Sequence, residues 1–223
     1  VTRRKRSLIA AVALLGAALL SGFADGPDGS PVDCRAARCV ALVFEGGPGP
    51  HTGALLDALE EAHAPATFFV TGKGPVFRHP DLVHRMAWDG HQVGNGTWTG
   101  PRLTDVPARE VRRQLTQTQR ALIQVTGRRP TLVRPPQGRT DRHVARICAE
   151  LGLRQVLGPS YAAGHRPAAE VAQRALEGAR SGGTVVLNGR DPVAAAAAPA
   201  LVEALRARGY RLVTADRLAA PRP

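Results

Sequence analysis

A chain of 223 residues, 43% of them hydrophobic and 22% charged, is long enough to bury one ordinary core and too apolar for a disordered segment. The formal charge of +12 is almost all arginine, Lys5 and Lys73 being the only lysines, and no aromatic-plus-basic recognition motif accompanies it, so nucleic acid is not an expected partner. The arginine excess reads either as base composition of the gene or as attraction to anionic envelope polymers.

Thr2 to Arg6 is basic and Leu8 to Leu20 is an unbroken run of thirteen apolar or small residues, the n-region and h-region of a secretory signal. Residues 1–24 are read as that signal, with cleavage after Ala24, and the chain is expected to be secreted or envelope-associated. The run is too short to span a bilayer comfortably, and no other membrane contact is expected. An uncleaved anchor is the alternative. Residues 25–37 form a flexible segment. In an oxidising compartment the closely spaced Cys34 and Cys39 read as a short-loop disulfide. Cys148 reads as a buried, unpaired thiol.

Val40 to Phe44 is a continuous apolar run that suits a strand buried on both faces, with Glu45 at its tip and the turn-forming Gly46 to Pro50 behind it. A helix over 52–62 and a strand over 66–70 follow. Further helices are expected over 80–88, 108–125, 141–150, 168–180 and 194–208, alternating with strands over 91–94, 131–134, 153–157, 184–187 and 210–214. Seven strands alternating with helices predict an α/β domain over 38–218, closed or nearly closed into a barrel, with a doubly wound open sheet as runner-up and a tail at 219–223. In such units the loops after the strands hold the site.

Four of those loops carry motifs: VFEGGP at Val43 to Pro48, GNGTWTGP at Gly94 to Pro101, RPPQG at Arg134 to Gly138, and LNG at Leu187 to Gly189. Together they resemble the metal-dependent polysaccharide deacetylases of the NodB-homology type, carbohydrate esterase family four. The resemblance implies a distorted seven-stranded (β/α) barrel, a divalent metal such as zinc, and hydrolysis of acetyl groups on polysaccharide. It places Glu45 at the general base, Gly46 at a metal-binding Asp, and Gly96 and Gly100 at two metal-binding histidines. Arg134 stands at the partner of the base, Gln137 at an aromatic position, and Asn188 at the general acid.

Glycine supplies no side-chain ligand and asparagine no proton near neutral pH, so no metal is expected in this chain. Glu45 and Arg134 are read as a vestigial base and its partner. Asn95, Thr97, Trp98, Pro135, Gln137 and Gly138 are read as the remaining groove. His51 and His165, with Glu45 and Asp191, are the candidates for a rebuilt metal site, and Tyr161 or His165 for a replacement in the loop after the fifth strand. The histidines at 63, 79, 84 and 143 read as surface, and His91 as framework. On the resemblance, Gly46→Asp, Gly96→His and Gly100→His together would recreate a zinc site. The preferred reading is a pseudoenzyme that binds cell-wall or other polysaccharide; the alternatives are an active deacetylase or esterase with a rebuilt site, and a basic structural protein of the envelope.

Overall fold

A computed structural model describes residues 32–161 and 164–218. The signal read at 1–24, the first part of the segment at 25–37 and the tail at 219–223 therefore lie outside the described residues. The strands are β1 (Cys39–Glu45), β2 (Thr67–Val70), β3 (Gln92–Asn95), β4 (Leu132–Val133), β5 (Arg154–Gln155), β6 (Gly183–Asn188) and β7 (Arg211–Leu212). Every pairing among them is parallel, in the order β5-β4-β3-β2-β1-β6, and β7 joins the sheet beside the first residues of β1. The sheet curls. Beyond β5 the chain makes one parallel bridge from Ser160 to Val186 of β6, and the Tyr161 N–H donates to the Val186 carbonyl at 2.8 Å. That bridge brings the two sheet edges together, and the barrel is nearly closed.

The period-two pleat of β1 sorts its residues between two cores. Val40, Leu42 and Phe44 face outward into a cluster with α1 (Thr52–Glu61), α2 (Pro80–Trp88), α5 (Ala168–Gly178) and α6 (Pro192–Ala207). Ala41 and Val43 face inward, where they pack with Phe69, Leu132, Val156 and Val186. Glu45 continues the inward series and so enters the barrel at the mouth. A third cluster joins α3 (Ala108–Thr126) and α4 (Arg142–Glu150) to β4.

Local chemistry sets the element ends. Asp141 caps α4 by accepting the Val144 N–H at 2.7 Å. Gly127 closes α3 in the left-handed conformation, φ +68°. The sheet pairing of β4 and β5 is shorter than the apolar runs predict: Pro130, Pro135 and Pro136 hem in β4, and Gly158-Pro159 follows β5. A short helix, α7 (Ala215–Leu218), was not predicted, because four residues carry no readable periodicity. It starts with the Ala215 N–H donating to Thr67 Oγ1 at 2.9 Å, and Ala215 joins the inner cluster.

Cys34 and Cys39 are disulfide-bonded, which ties the segment before the sheet to the first residue of β1. Cys148 is a free, buried thiol whose pKa burial pushes up.

His91 lies between α2 and β3 and is only 4% exposed. Its Nδ1 accepts the Ala66 N–H at 3.2 Å, and its ring meets Phe68 edge-on. Burial, and after it the Arg85 cation, lowers its pKa from 6.5 to about 4. The unfolded chain therefore takes up this proton first as pH falls. On the order of 3 kcal/mol of stability, complete above pH 6.5, should be lost as pH falls through 4. Urea unfolding across that range should show a shallower pH dependence in His91→Gln than in the native chain; identical slopes would assign the loss to other groups.

Candidate functional site

The site is built where β1, β3, β4 and β6 end. Arg134, one residue past β4, is 2% exposed and uses all three guanidinium nitrogens. Nε donates to Glu45 Oε2 at 2.6 Å, Nη1 to the Val156 carbonyl at 3.3 Å and Nη2 to the Gly158 carbonyl at 3.1 Å. The other carboxylate oxygen of Glu45 accepts the Ser160 hydroxyl at 2.9 Å. One ion pair thus holds together the ends of β1 and β4 and the loop after β5. A carboxylate engaged at both oxygens is held firmly in one orientation, with a lone pair on each oxygen left for a further donor.

The loop after β3 is held just as firmly. Asn95 Nδ2 donates to the Leu115 carbonyl on α3, and Asn95 Oδ1 accepts the Thr97 N–H, each at 2.9 Å. Thr97 Oγ1 accepts the Gly100 N–H at 3.1 Å, and the Gly72 and Lys73 N–H groups donate to the Thr97 and Trp98 carbonyls at 3.0 and 2.7 Å. Gln114 clasps Thr99 twice, at 2.7 and 2.8 Å. These bonds keep Thr97 at φ +68°, a costly conformation for a β-branched residue.

The placement corrects part of the groove reading. Asn95 and Thr97 are fully buried, because their side chains are consumed in shaping the loop. Trp98 packs over Gly72, where an added Cβ would run into its ring, and meets Phe77 edge-on at 6.0 Å. Pro135 is buried too, which leaves Gln137 and Gly138 nearer the surface. Gln137, at φ +60°, accepts the Arg102 Nε–H at 3.1 Å.

The three glycines differ in what surrounds them. A Cβ on Gly96 would lie 2.8 Å from the Val70 carbonyl oxygen and 2.9 Å from that of Phe69, inside backbone that cannot swing away. Gly100 has open space but sits at φ +80°. Gly46, at φ +88°, faces Asn188 Oδ1 and the Arg190 side chain, 3.6 and 3.8 Å from an added Cβ. Rebuilding a zinc site by three substitutions therefore meets an obstacle that the resemblance did not reveal: at Gly96 the ends of β2 and β3 must first move apart.

The histidine alternative gains no support from the geometry. His51 and His165 are exposed, and Asp191 caps α6 by accepting the Val193 N–H at 2.9 Å. Among the described residues no group of three or more His, Cys, Asp or Glu side chains is placed to hold a metal ion. The residues at this mouth do not fit the metal that the resemblance implies. Tyr161 turns its hydroxyl toward α5, against Gly178, rather than into the site. Sequence reasoning overlooked Ser160 and Arg190, one bonded to Glu45 and the other packed against the glycine turn. Neither belongs to a motif, and only the bridge to β6 explains why Ser160 reaches the mouth.

The family model for polysaccharide deacetylase matches residues 33–156. The chain belongs to the polysaccharide deacetylases. Among curated relatives, the peptidoglycan-N-acetylglucosamine deacetylase PgdA of Listeria monocytogenes is 36% identical over 182 residues, 80% of this chain and 38% of that protein. The peptidoglycan-N-acetylmuramic acid deacetylase PdaC of Bacillus subtilis is 32% identical over 183 residues, 81% of this chain and 38% of that protein. The chain thus spans well under half the length of these curated relatives. Among solved structures, a T48 deacetylase with substrate superposes with a TM-score of 0.79 at 35% identity, covering 84% of this chain and 94% of the other. BA3943 of Bacillus anthracis, a CE4 family pseudoenzyme, shares the fold at a TM-score of 0.76 and 20% identity, over 82% of this chain and 66% of the other.

Two stability measurements test the frame. Glu45→Ala leaves Arg134 buried without its counter-charge and should cost about 3 kcal/mol in urea unfolding, whereas adding Arg134→Met should cost less than the sum of the two single changes. Equal, additive losses would mean that the pair is not coupled. Gly96→Ala should destabilise by about 2 kcal/mol or more through overpacking against backbone, and Gly100→Ala by about 1 kcal/mol through its backbone conformation. The reverse order would show that the β2–β3 end yields easily.

Proposed function

We propose that this polysaccharide-deacetylase-like protein is a secreted, catalytically inert member of its family that binds cell-wall polysaccharide at the barrel mouth. The observation that carries the reading is the state of the three ligand positions. All are glycine in loops that keep their shape, and at Gly96 the space for a side chain is occupied by the backbone of β2. Chance decay would be expected to loosen loops whose chemistry had gone. Here the strained Thr97 turn and the Glu45–Arg134 pair are still fully bonded.

Loss of the acid points the same way. Asn188 stands at the tip of β6, where its Oδ1 accepts the Arg190 N–H at 3.0 Å, and an amide there cannot protonate a leaving amine. BA3943 offers a precedent of the same fold described as a pseudoenzyme. The names of PgdA and PdaC, both peptidoglycan deacetylases, support cell-wall polysaccharide as the binding partner. The Cys34–Cys39 disulfide supports an oxidising compartment.

The test is metal content and turnover in one preparation. After incubation with zinc or cobalt and removal of the excess, the chain should retain far less than one equivalent and release no acetate from N-acetylated peptidoglycan or chitooligosaccharide, while still sedimenting with purified cell wall. Near-stoichiometric metal that disappears in Glu45→Ala or His51→Ala, together with acetate release blocked by chelator, would overturn the reading in favour of a rebuilt site.

A further inference from the structure

The glycine turn after β1 is lined by a side chain that no motif assigns. Arg190, two residues past β6, runs its stem along the turn: Cγ lies 3.5 Å from an added Cβ on Gly49, and Cδ lies 3.8 Å from one on Gly46. The side-chain Oδ1 of Asn188 fixes the stem's origin by accepting the Arg190 backbone N–H at 3.0 Å. The Arg190 guanidinium is exposed and makes no hydrogen bond or salt bridge among the described residues. A cationic side chain therefore borders the space that a metal-binding carboxylate at Gly46 would otherwise enter.

The surrounding charges leave that cation unneutralised. The carboxylates in the loops after β1 to β6 are spoken for: Glu45 by Arg134 and Ser160, Asp105 by Arg102 and Thr104, and Asp141 and Asp191 as helix caps. Lys73 after β2 and Arg139 after β4 are exposed on the same end of the barrel, and like Arg190 they have no salt-bridge partner among the described residues. Asp141 and Asp191 keep their charge as helix caps, but neither forms a salt bridge with Arg190, Lys73 or Arg139 among the described residues.

We propose that the mouth is an anion site: Arg190, helped by the side-chain amide of Asn188, binds the carboxylate or phosphodiester of an acidic glycan. This rests on the glycan-binding reading above and narrows it to a class of polymer. A guanidinium offers paired donors matched to either group, and its hydrogen bonds to an anion are among the stronger ones available at a surface.

The experiment is calorimetric titration of the purified full chain at about 0.15 M salt, where diffuse attraction is screened within about 8 Å. The probes are tetragalacturonate for the carboxylate, a glycerol-phosphate oligomer for the phosphodiester, and tetra-N-acetylchitotetraose as a neutral glycan. At least one acidic probe should bind more tightly than the neutral one, and which of them binds identifies the source of the anion. Arg190→Glu should weaken that binding about tenfold or more. Arg174→Glu, an equal change of charge on the exposed face of α5, should weaken it less than about twofold. Arg190→Gln, which keeps the length without the charge, provides a second variant should the reversal unfold the chain. Equal losses in Arg174→Glu would overturn the proposal in favour of diffuse charge. Binding of the neutral probe that Arg190 variants leave untouched would overturn the anion site and leave the glycan reading standing. Failure of all three probes would overturn both.

Discussion

The buried guanidinium of Arg134 is the constraint on which the mouth of this barrel depends. A charge with almost no solvent is tolerable only when its donors are satisfied, and here three residues from two elements do so: Glu45 at the end of β1, and the Val156 and Gly158 carbonyls after β5. Ser160, held to the same Glu45, carries the chain on to its bridge with β6. Removing the ionic centre would leave the curled sheet without the tie that links β1 to its far edge. This accounts for the survival of an acid and a base at a site whose other chemical positions are glycine or asparagine.

Much of the fold was legible in the sequence because the signals were local. The apolar run of β1, the stripes of α2 and α3 and the glycine behind α3 all state their structure within one or two turns of chain. What could not be read depended on distant pairing. The two-residue extent of β4 and β5 follows from which N–H groups have neighbours, and α7 is explained only by its docking on Thr67 across the sheet. The site divides in the same way. The motif glycines and the Glu45–Arg134 pair stood out against the family pattern. The burial of Asn95 and Thr97, the inward packing of Trp98 and the closure around Gly96 appear only when β2, β3 and α3 are brought together.

Strain and close packing share the loop after β3. A threonine at positive φ persists because seven hydrogen bonds or close contacts around it would have to be given up for relief, among them those from Gly72, Lys73, Gly100 and Gln114. None of those bonds involves a side chain at Gly96 or Gly100, so the loop holds its shape without one. Rigidity of this kind fixes the shape of the surface at the end of β3 through backbone and supporting side chains alone.

The central place of β1 also sets an order of events during biosynthesis. This strand leads the described chain, yet its partners include β6 and β7 near the other end, with Val40 opposite Gly183 and Cys39 opposite Arg211. Until β6 and β7 have emerged, one flank of the most apolar strand has no neighbour, and the nascent protein must be kept from pairing that flank with other chains. A fragment cut short before β6 would carry β1 as a bare edge, so the emergence of β6 and the protection of β1 from aggregation are the same step.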